Sequence, residues 1–529
     1  MPTVRDVTFD LLRRHHMTTI FGNPGSNELP FLAGMPDDFR YILGLHEGAV
    51  LAMADGYAQA RRAPALVNLH AAAGTGNALG VLTNSVYSHS PLVVMAGQQV
   101  RSTIGQETFL AISEPETLAR PMAKWSCQPT CAEDVPRALA QAIHMATLPA
   151  KGPVFLSVPY DDWAHEAPPE TGHLLKRRVV SGGCLGAEAL ASVAAALDEA
   201  RNPVLVLGAE VDAEAANDDA VRLADVLEAP VWLSPSAPRL PFPTRHRSFR
   251  GPLPASVRGV TAALEGHDII LVIGAPVFRY HQYEPGQYLS AGVRLIHITS
   301  DPSEAARAPM GEAYVADVRN TLSRLAQTVR PGQRSTLSPL AGYRLPPVSS
   351  DDAVHPEELF AELRGLAPTD AIWVNEATST TAEFWAQADI SVPGSYFFAA
   401  SGGLGFGLPA AVGVQLAHPG RQVVALIGDG SANYGITALW TAAHYEIPVI
   451  TIILKNGTYG ALRWFAGVLK AGEAPGLDIP GINFPEIARG YGLDAVSANT
   501  IKDFAAEFSS ALTSHKPTLI EVEVVRTMS

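Results

Sequence analysis

The chain alternates short, unbroken apolar runs with longer segments of helical length. The clearest runs are PALVNLH (64–70), PLVVMAG (91–97), NPVLVLG (202–208), DIILVIG (268–274), QVVALIG (422–428) and PVITIIL (448–454). A strand with one wet face alternates apolar and polar positions, whereas runs this continuous and β-branched suit parallel strands covered on both faces. Strand–helix alternation of this kind predicts an α/β protein with doubly wound parallel sheets. Two stretches break the pattern, 166–182 and 330–352, both rich in Pro, Gly, Ser and charge and without periodicity. They predict three domains, 1–180, 183–330 and 350–529, in keeping with roughly 100–200 residues per domain. The opening residues, MPTVRDVTFDLLRRHH, read as an amphipathic helix.

The first and third blocks share an order of parts. EGAVLAMADGYAQARRAPALVNLHAAAGTGN leads through a helix to SPLVVMAG, and GGLGFGLPAAVGVQLAHPGRQVVALIGDGSAN leads through a helix to IPVITIILKNG. Both run helix, strand, Gly-rich turn, helix, Pro, strand. An old duplication explains this and would yield two similar domains able to face each other across a ligand. Any two strand–helix–strand units share some of the same order.

Composition narrows the class. Of 529 residues, 47% are hydrophobic and 17% charged, enough for large buried cores. The net charge of −14 disfavours nucleic acid and anionic membrane as partners, while a local pocket can still accept a small anion. Cys127, Cys131 and Cys184 are too few for a disulfide framework and lack the second ligand pair of a zinc site. No apolar run reaches the roughly 18 residues of a membrane helix, and the start lacks the apolar core of a secretory signal. A cytoplasmic enzyme is expected.

The most specific chemical signal is GDGSAN (428–433), which follows a strand and opens a helix. Backbone N–H groups and the positive helix end there favour a phosphate. Asp429 supplies one hard oxygen, and Asn456, 27 residues further on at the end of the next strand, supplies another. With a backbone carbonyl near Thr458 and two phosphate oxygens, this set suits octahedral Mg²⁺. An ordinary glycine turn is the plainer reading. A dinucleotide fold competes, but the third glycine of GTGNALG (74–80) comes one residue late, and PLVVMAG ends without the acid that holds a ribose. No GxSxG elbow supports an α/β-hydrolase. Glu47 opens the apolar, small-residue segment LGLHEGAVLAMADGYA, where its carboxyl would be buried and its pKa raised. Taken alone, such a glutamate is as readily a cap or half of an ion pair.

GDG followed at this distance by asparagine is the pattern of thiamine-diphosphate (ThDP) enzymes, with Lys455 in place of the first of two usual asparagines. Along nearly its whole length the chain resembles the benzoylformate decarboxylase family of ThDP-dependent 2-keto acid decarboxylases. The shared stretches are FGNPGSNELPFL (21–32), LHAAAGTGN (69–77), PVFRYHQY (276–283), SGGLGFGLPAA (401–411) and NGTYGALRWFAGVL (456–469). The resemblance implies a pyrimidine-binding N-terminal domain, a central Rossmann-like domain and a C-terminal diphosphate-binding domain. It implies conversion of benzoylformate to benzaldehyde and CO₂ through a ThDP enamine, within mandelate catabolism. The implied cofactors are ThDP and Mg²⁺, with Ca²⁺ able to substitute, and the implied assembly is a homotetramer with active sites at dimer interfaces.

Roles carry over by position. Glu47 hydrogen-bonds the pyrimidine N1′ and promotes the imino tautomer that deprotonates C2. Thr378, Gly402, Gly428, Asp429, Gly430, Ser431 and Tyr459 bind the cofactor, and Leu404 wedges it into a bent form unless it is simple core. Asp429, Asn456 and Thr458 hold the metal. Ser26 binds the substrate carboxylate, although its place before Glu28 and an apolar run fits a helix N-cap equally well. His70 protonates the keto oxygen and His281 the enamine, a task suited to histidine near neutrality; either alone could be structural. Leu110, Phe398, Leu462 and Phe465 line an aryl pocket, or core. Phe109 stands beside Leu110 where leucine is expected, which would narrow or reshape that pocket. The alternatives are another ThDP-dependent 2-keto acid decarboxylase or a carboligase. The adjacent histidines of pyruvate decarboxylases have no counterpart, because His15-His16 lies on the first helix.

Overall fold

All six apolar runs become strands buried on both faces. The computed structural model describes residues 1–281, 284, 286–349 and 353–527, so Gln282 and Tyr283 of the PVFRYHQY stretch lie outside the described residues. Among the described residues the strands form three six-stranded sheets in which every ladder is parallel. The first contains β1 (Thr19–Asn23), β2 (Arg40–Leu43), β3 (Ala65–Leu69), β4 (Leu92–Gln98), β5 (Trp125–Cys127) and β6 (Val154–Pro159), in the order β2-β1-β3-β4-β6-β5. The second contains β7 (Pro203–Leu207), β8 (Val231–Leu233), β9 (Phe249–Pro252), β10 (Ile269–Ile273), β11 (Arg294–Thr299) and β12 (Glu312–Val315), ordered β12-β11-β10-β7-β8-β9. The third contains β13 (Ile372–Glu376), β14 (Tyr396–Phe398), β15 (Val423–Gly428), β16 (Ile450–Lys455), β17 (Asp494–Ala498) and β18 (Thr518–Glu523), ordered β14-β13-β15-β16-β18-β17. The middle order is that of a dinucleotide-binding fold. The first and third follow one permutation, which agrees with the shared order of parts in the sequence.

The N-terminal pattern closes into the helix Val4–Arg14, started by a Thr3/Asp6 capping box and burying Val4, Val7, Phe9, Leu11 and Leu12. The stretch 166–182 is less irregular than its composition suggests. It contains the short helix Gly172–Lys176, whose Leu174 and Leu175 pack on the core of the first sheet. Residues 330–349 carry no helix or strand. Contacts pin that segment all the same, for example Tyr343 Oη donating to Asp389 (2.7 Å) and the Arg344–Glu357 pair.

One hydrophobic core runs from the first sheet into the third. Its join is a pair of helices, Glu47–Arg61 and Gly407–Ala417, touching backbone to backbone. A Cβ on Gly413 would lie 1.9 Å from Met53 O, and one on Gly56 2.4 Å from Ala410 O. The small residues that make both helices poorly amphipathic permit this approach. Glu47 is thereby carried at the N-terminal end of a helix buried along nearly its whole length.

Candidate active site

The carboxyl ends of parallel strands gather functional groups, because the helices that follow leave their first turns there. In the first sheet β1 ends at Asn23, and β3 runs into His70, the N-cap of the helix Ala71–Tyr87. Glu47 is 8% exposed. Its Oε1 accepts from Asn23 Nδ2 (3.2 Å) and its Oε2 from Asn77 Nδ2 (2.9 Å). Both donors are neutral, so two amides orient the carboxyl without an ion pair. Gly74 keeps one side close, since a Cβ there would stand 3.2 Å from Glu47 Oε1.

Beside it lies a group that sequence reasoning missed. Glu28, 1% exposed, accepts from Gly25 N (2.9 Å) and Gly97 N (2.8 Å) and contacts His70 Nδ1 (2.8 Å). A carboxylate at Nδ1 keeps the proton there and leaves Nε2 as the exchanging nitrogen. The glycines in GNPGSNE and VVMAG follow from this packing: a Cβ on Gly25 would lie 2.1 Å from His70 Nδ1, and one on Gly97 2.3 Å from Glu28 Oε1. Ser26 is exposed, its Oγ donating to Asn27 Oδ1 (3.3 Å). The N-cap reading of Ser26 fails, because the helix Leu29–Leu32 has Glu28 at its N-cap and no side-chain capping bond.

The second group forms at the ends of β15 and β16. Asp429, 3% exposed, accepts backbone N–H groups from Gly430 (2.9 Å), Asn456 (3.2 Å) and Gly457 (2.7 Å). Burial pushes its carboxyl above the usual carboxylate range, and these three donors offset only part of that rise. Asn456 Oδ1 accepts from Thr458 N (3.0 Å), and Thr458 is itself 3% exposed. The three residues expected from the sequence to hold a metal therefore lie together and buried. Gly430 is pressed by the Tyr459 ring, 2.6 Å from where a Cβ would stand. A Cβ on Gly428, by contrast, would meet its nearest atom, Glu376 O, at 3.7 Å, an ordinary contact. Ser431 Oγ donates to Glu376 O (3.1 Å). Thr378 follows β13 in a short 3₁₀ turn. Gly402, at φ +76°, and half-buried Leu404 lie on the Gly-rich segment before the Gly407–Ala417 helix. A buried carboxylate with only neutral donors, beside an amide oxygen and a glycine turn that opens a helix, has the donor chemistry that fits a divalent cation and the diphosphate it accompanies.

The remaining candidates divide. His281 packs its ring against Phe465 (centroids 4.4 Å apart), which joins the second domain to the third. Phe465 and Leu462 lie on the helix Gly460–Val468, which buries no residue. Leu462 is half exposed, Phe109 is 95% exposed, Leu110 is exposed at φ +69°, and His281 is exposed as well. Phe398 is half-buried on β14 against the core shared with the second sheet. Among the described residues, no hydrogen bond or ring contact links Ser26, Glu47 or His70 to Asp429, Asn456, His281 or Phe465. A separate group, His89, Glu210 and Glu304, also has metal-ligand types, but Arg279 pairs with Glu304 at 3.3 Å and it shares no residue with the Asp429 cluster.

Profiles of the thiamine pyrophosphate enzymes match this chain in three parts: the N-terminal TPP binding domain at residues 2–116, the central domain at 190–325 and the C-terminal TPP binding domain at 377–522. The chain belongs to the thiamine pyrophosphate (ThDP) enzymes. Within them it belongs with the benzoylformate decarboxylases, being 59% identical over 524 residues to benzoylformate decarboxylase of Pseudomonas aeruginosa, a match covering 99% of both chains. Among solved structures it is similar to a ThDP-dependent 4-hydroxybenzoylformate decarboxylase of Rhodococcus jostii (63% identity, TM-score 0.98, all of both chains). It is also similar to benzoylformate decarboxylase of Polynucleobacter necessarius (34% identity, TM-score 0.93, all of both chains). No described helix is long and apolar enough to cross a membrane.

Proposed function

We propose that this protein decarboxylates benzoylformate to benzaldehyde and CO₂, using ThDP with Mg²⁺, for which Ca²⁺ can substitute. What carries the reading is the whole-length similarity to benzoylformate decarboxylases, combined with a His70–Glu28 pair at 2.8 Å in the domain that holds Glu47. When bound, ThDP would supply the nucleophilic carbon and the electron sink that loss of CO₂ requires. Asp429, Asn456 and the Thr458 carbonyl hold the metal. Thr378, Gly402, Gly428, Gly430, Ser431 and Tyr459 would hold the cofactor, and Leu404 would support it from beneath. Glu47 would hydrogen-bond the pyrimidine ring. Ser26 Oγ donates to the substrate carboxylate, and His70 Nε2 gives a proton to the keto oxygen while Glu28 keeps Nδ1 protonated. His281 delivers the proton that replaces CO₂. Leu110, Phe398, Leu462 and Phe465 cover the aryl ring and exclude water, which favours loss of a charged carboxylate.

Two copies complete one site in this proposal. Its support is that Ser26, Leu110, His281 and Leu462 are all exposed in the single chain, although one reaction needs them together. The assembly is a homotetramer of chains divided at 1–180, 183–330 and 350–529, working in the cytoplasm on a mandelate-derived 2-keto acid. The test is aldehyde release by purified apoprotein from benzoylformate, 4-hydroxybenzoylformate and pyruvate, with and without ThDP plus Mg²⁺. Cofactor-dependent benzaldehyde with little acetaldehyde is expected. Acetaldehyde or a carboligation product alone would move the enzyme to a sister activity.

A further inference from the structure

The Gly-rich segment between residues 401 and 407 is held from both ends, and Leu404 lies between the two holds. At the start, Asn84, fully buried on the Ala71–Tyr87 helix, accepts from Ser401 N (3.0 Å) and Ser401 Oγ (2.6 Å) and donates to Gly403 O (2.9 Å). At the end, the fully buried Glu376 carboxylate accepts three successive backbone N–H groups, from Gly405 (2.9 Å), Phe406 (3.2 Å) and Gly407 (2.9 Å). Gly405 sits at φ +100°, and a Cβ on Gly407 would lie 2.6 Å from Glu376 Cβ. The glycines thus let the backbone wrap the carboxyl. Glu376 also reaches the other cofactor element, since its carbonyl accepts from Ser431 Oγ (3.1 Å).

A core that needed only filling would carry an apolar side chain at the end of β13, because a buried carboxyl is costly unless its bonds are specific. Burial pushes Glu376 up to about 7 against the downward pull of the three amides. The arrangement therefore holds a group at some cost to stability, at a place where the backbone must be set.

We propose that Glu376 and Asn84 are positioning residues that fix Leu404 against the cofactor from the two ends of this segment, an inference that rests on the ThDP reading above. An ångström of misplacement can cost about 100-fold in rate. The substrate-binding groups lie on other elements, so the loss falls on turnover and not on substrate affinity.

The test compares wild type with Glu376→Gln, which keeps the shape but turns an NH₂ group toward N–H donors. Three quantities are read on the holoenzyme: kcat against KM, ThDP affinity from quenching of tryptophan fluorescence, and the near-ultraviolet circular dichroism of bound ThDP. We expect kcat to fall about tenfold or more with KM within about twofold, and the bound-cofactor dichroism to change. In a Leu404→Ala background the same substitution should cost little further, because both act through one side chain. Wild-type kcat and dichroism in Glu376→Gln, or losses that simply add to those of Leu404→Ala, would overturn the proposal. Should Glu376→Gln not fold, Asn84→Ala carries the same expectations and the same overturning results. If wild type binds ThDP but leaves benzoylformate untouched, the functional reading fails, while the dichroism comparison still decides the positioning role.

Discussion

A histidine works as an acid at one ring nitrogen when the other is already held. Glu28 does the holding for His70, and two backbone N–H groups fix Glu28 in turn. Glu28→Gln keeps the shape but no longer presents an obligate acceptor to Nδ1, so kcat should fall by about tenfold or more with ThDP affinity preserved. Near-normal kcat would make the pair structural. His70→Ala should likewise slow turnover far more than it weakens cofactor binding, measured by steady-state kinetics beside ThDP titration. His15 offers a prediction of another kind. It ends the first helix with its ring 5.4 Å from that of His144, and burial, aided by the charge of His144, pushes its pKa down to about 4 from 6.5. A base whose folded pKa is depressed adds stability that is complete above pH 6.5 and lost as the pH falls toward 4. His15→Gln should flatten the acid side of the melting-temperature profile, and an unchanged profile would remove His15 as a source of acid lability.

Among elements, the helix pair Glu47–Arg61 and Gly407–Ala417 joins the first and third sheets and carries Glu47 on its way. With a Cβ at Gly413 only 1.9 Å from Met53 O, the backbones must separate before any side chain fits. Gly413→Ala should destabilise the protein by about 1–3 kcal/mol or more in denaturant unfolding. A wild-type midpoint would mean that the helices slide apart freely. The helix Gly460–Val468 is the opposite case, with Leu462 and Phe465 on an element that buries nothing. Its apolar side chains acquire a purpose when substrate or a second chain covers them.

For the whole molecule, the proposed reaction draws on groups that belong to separate sheets, Glu47 with the first and Asp429 with the third. If two chains share each site, Glu47→Gln and Asp429→Asn should each be inactive alone. A refolded mixture should regain about a quarter of wild-type activity, since half of the dimers are mixed and each of these has one intact site. No recovery would place Glu47 and Asp429 of one chain in the same site.

The three-sheet architecture was legible in the sequence because strands covered on both faces must be apolar throughout, a strictly local constraint. The GDGSAN turn and Asn456 were legible for a related reason, since each sits where an apolar run ends. Short edge strands such as Arg40–Leu43 and Trp125–Cys127 escaped, being half-wet and too brief to show a period. The polar residues that orient the chemistry escaped as well. Glu28 could be read only as part of a cap, and Asn23, Asn77, Asn84 and Glu376 carried no signal of their own. Their partners lie far off in the chain: Glu28 meets Gly97 and His70, and Asn84 meets Ser401 and Gly403. The sequence by itself determined which apolar segments become strands covered on both faces and which motif residues sit at their ends, because local hydrophobicity decides both. Only the tertiary structure decided which buried polar groups satisfy one another, because each has value only through a partner that folding brings near.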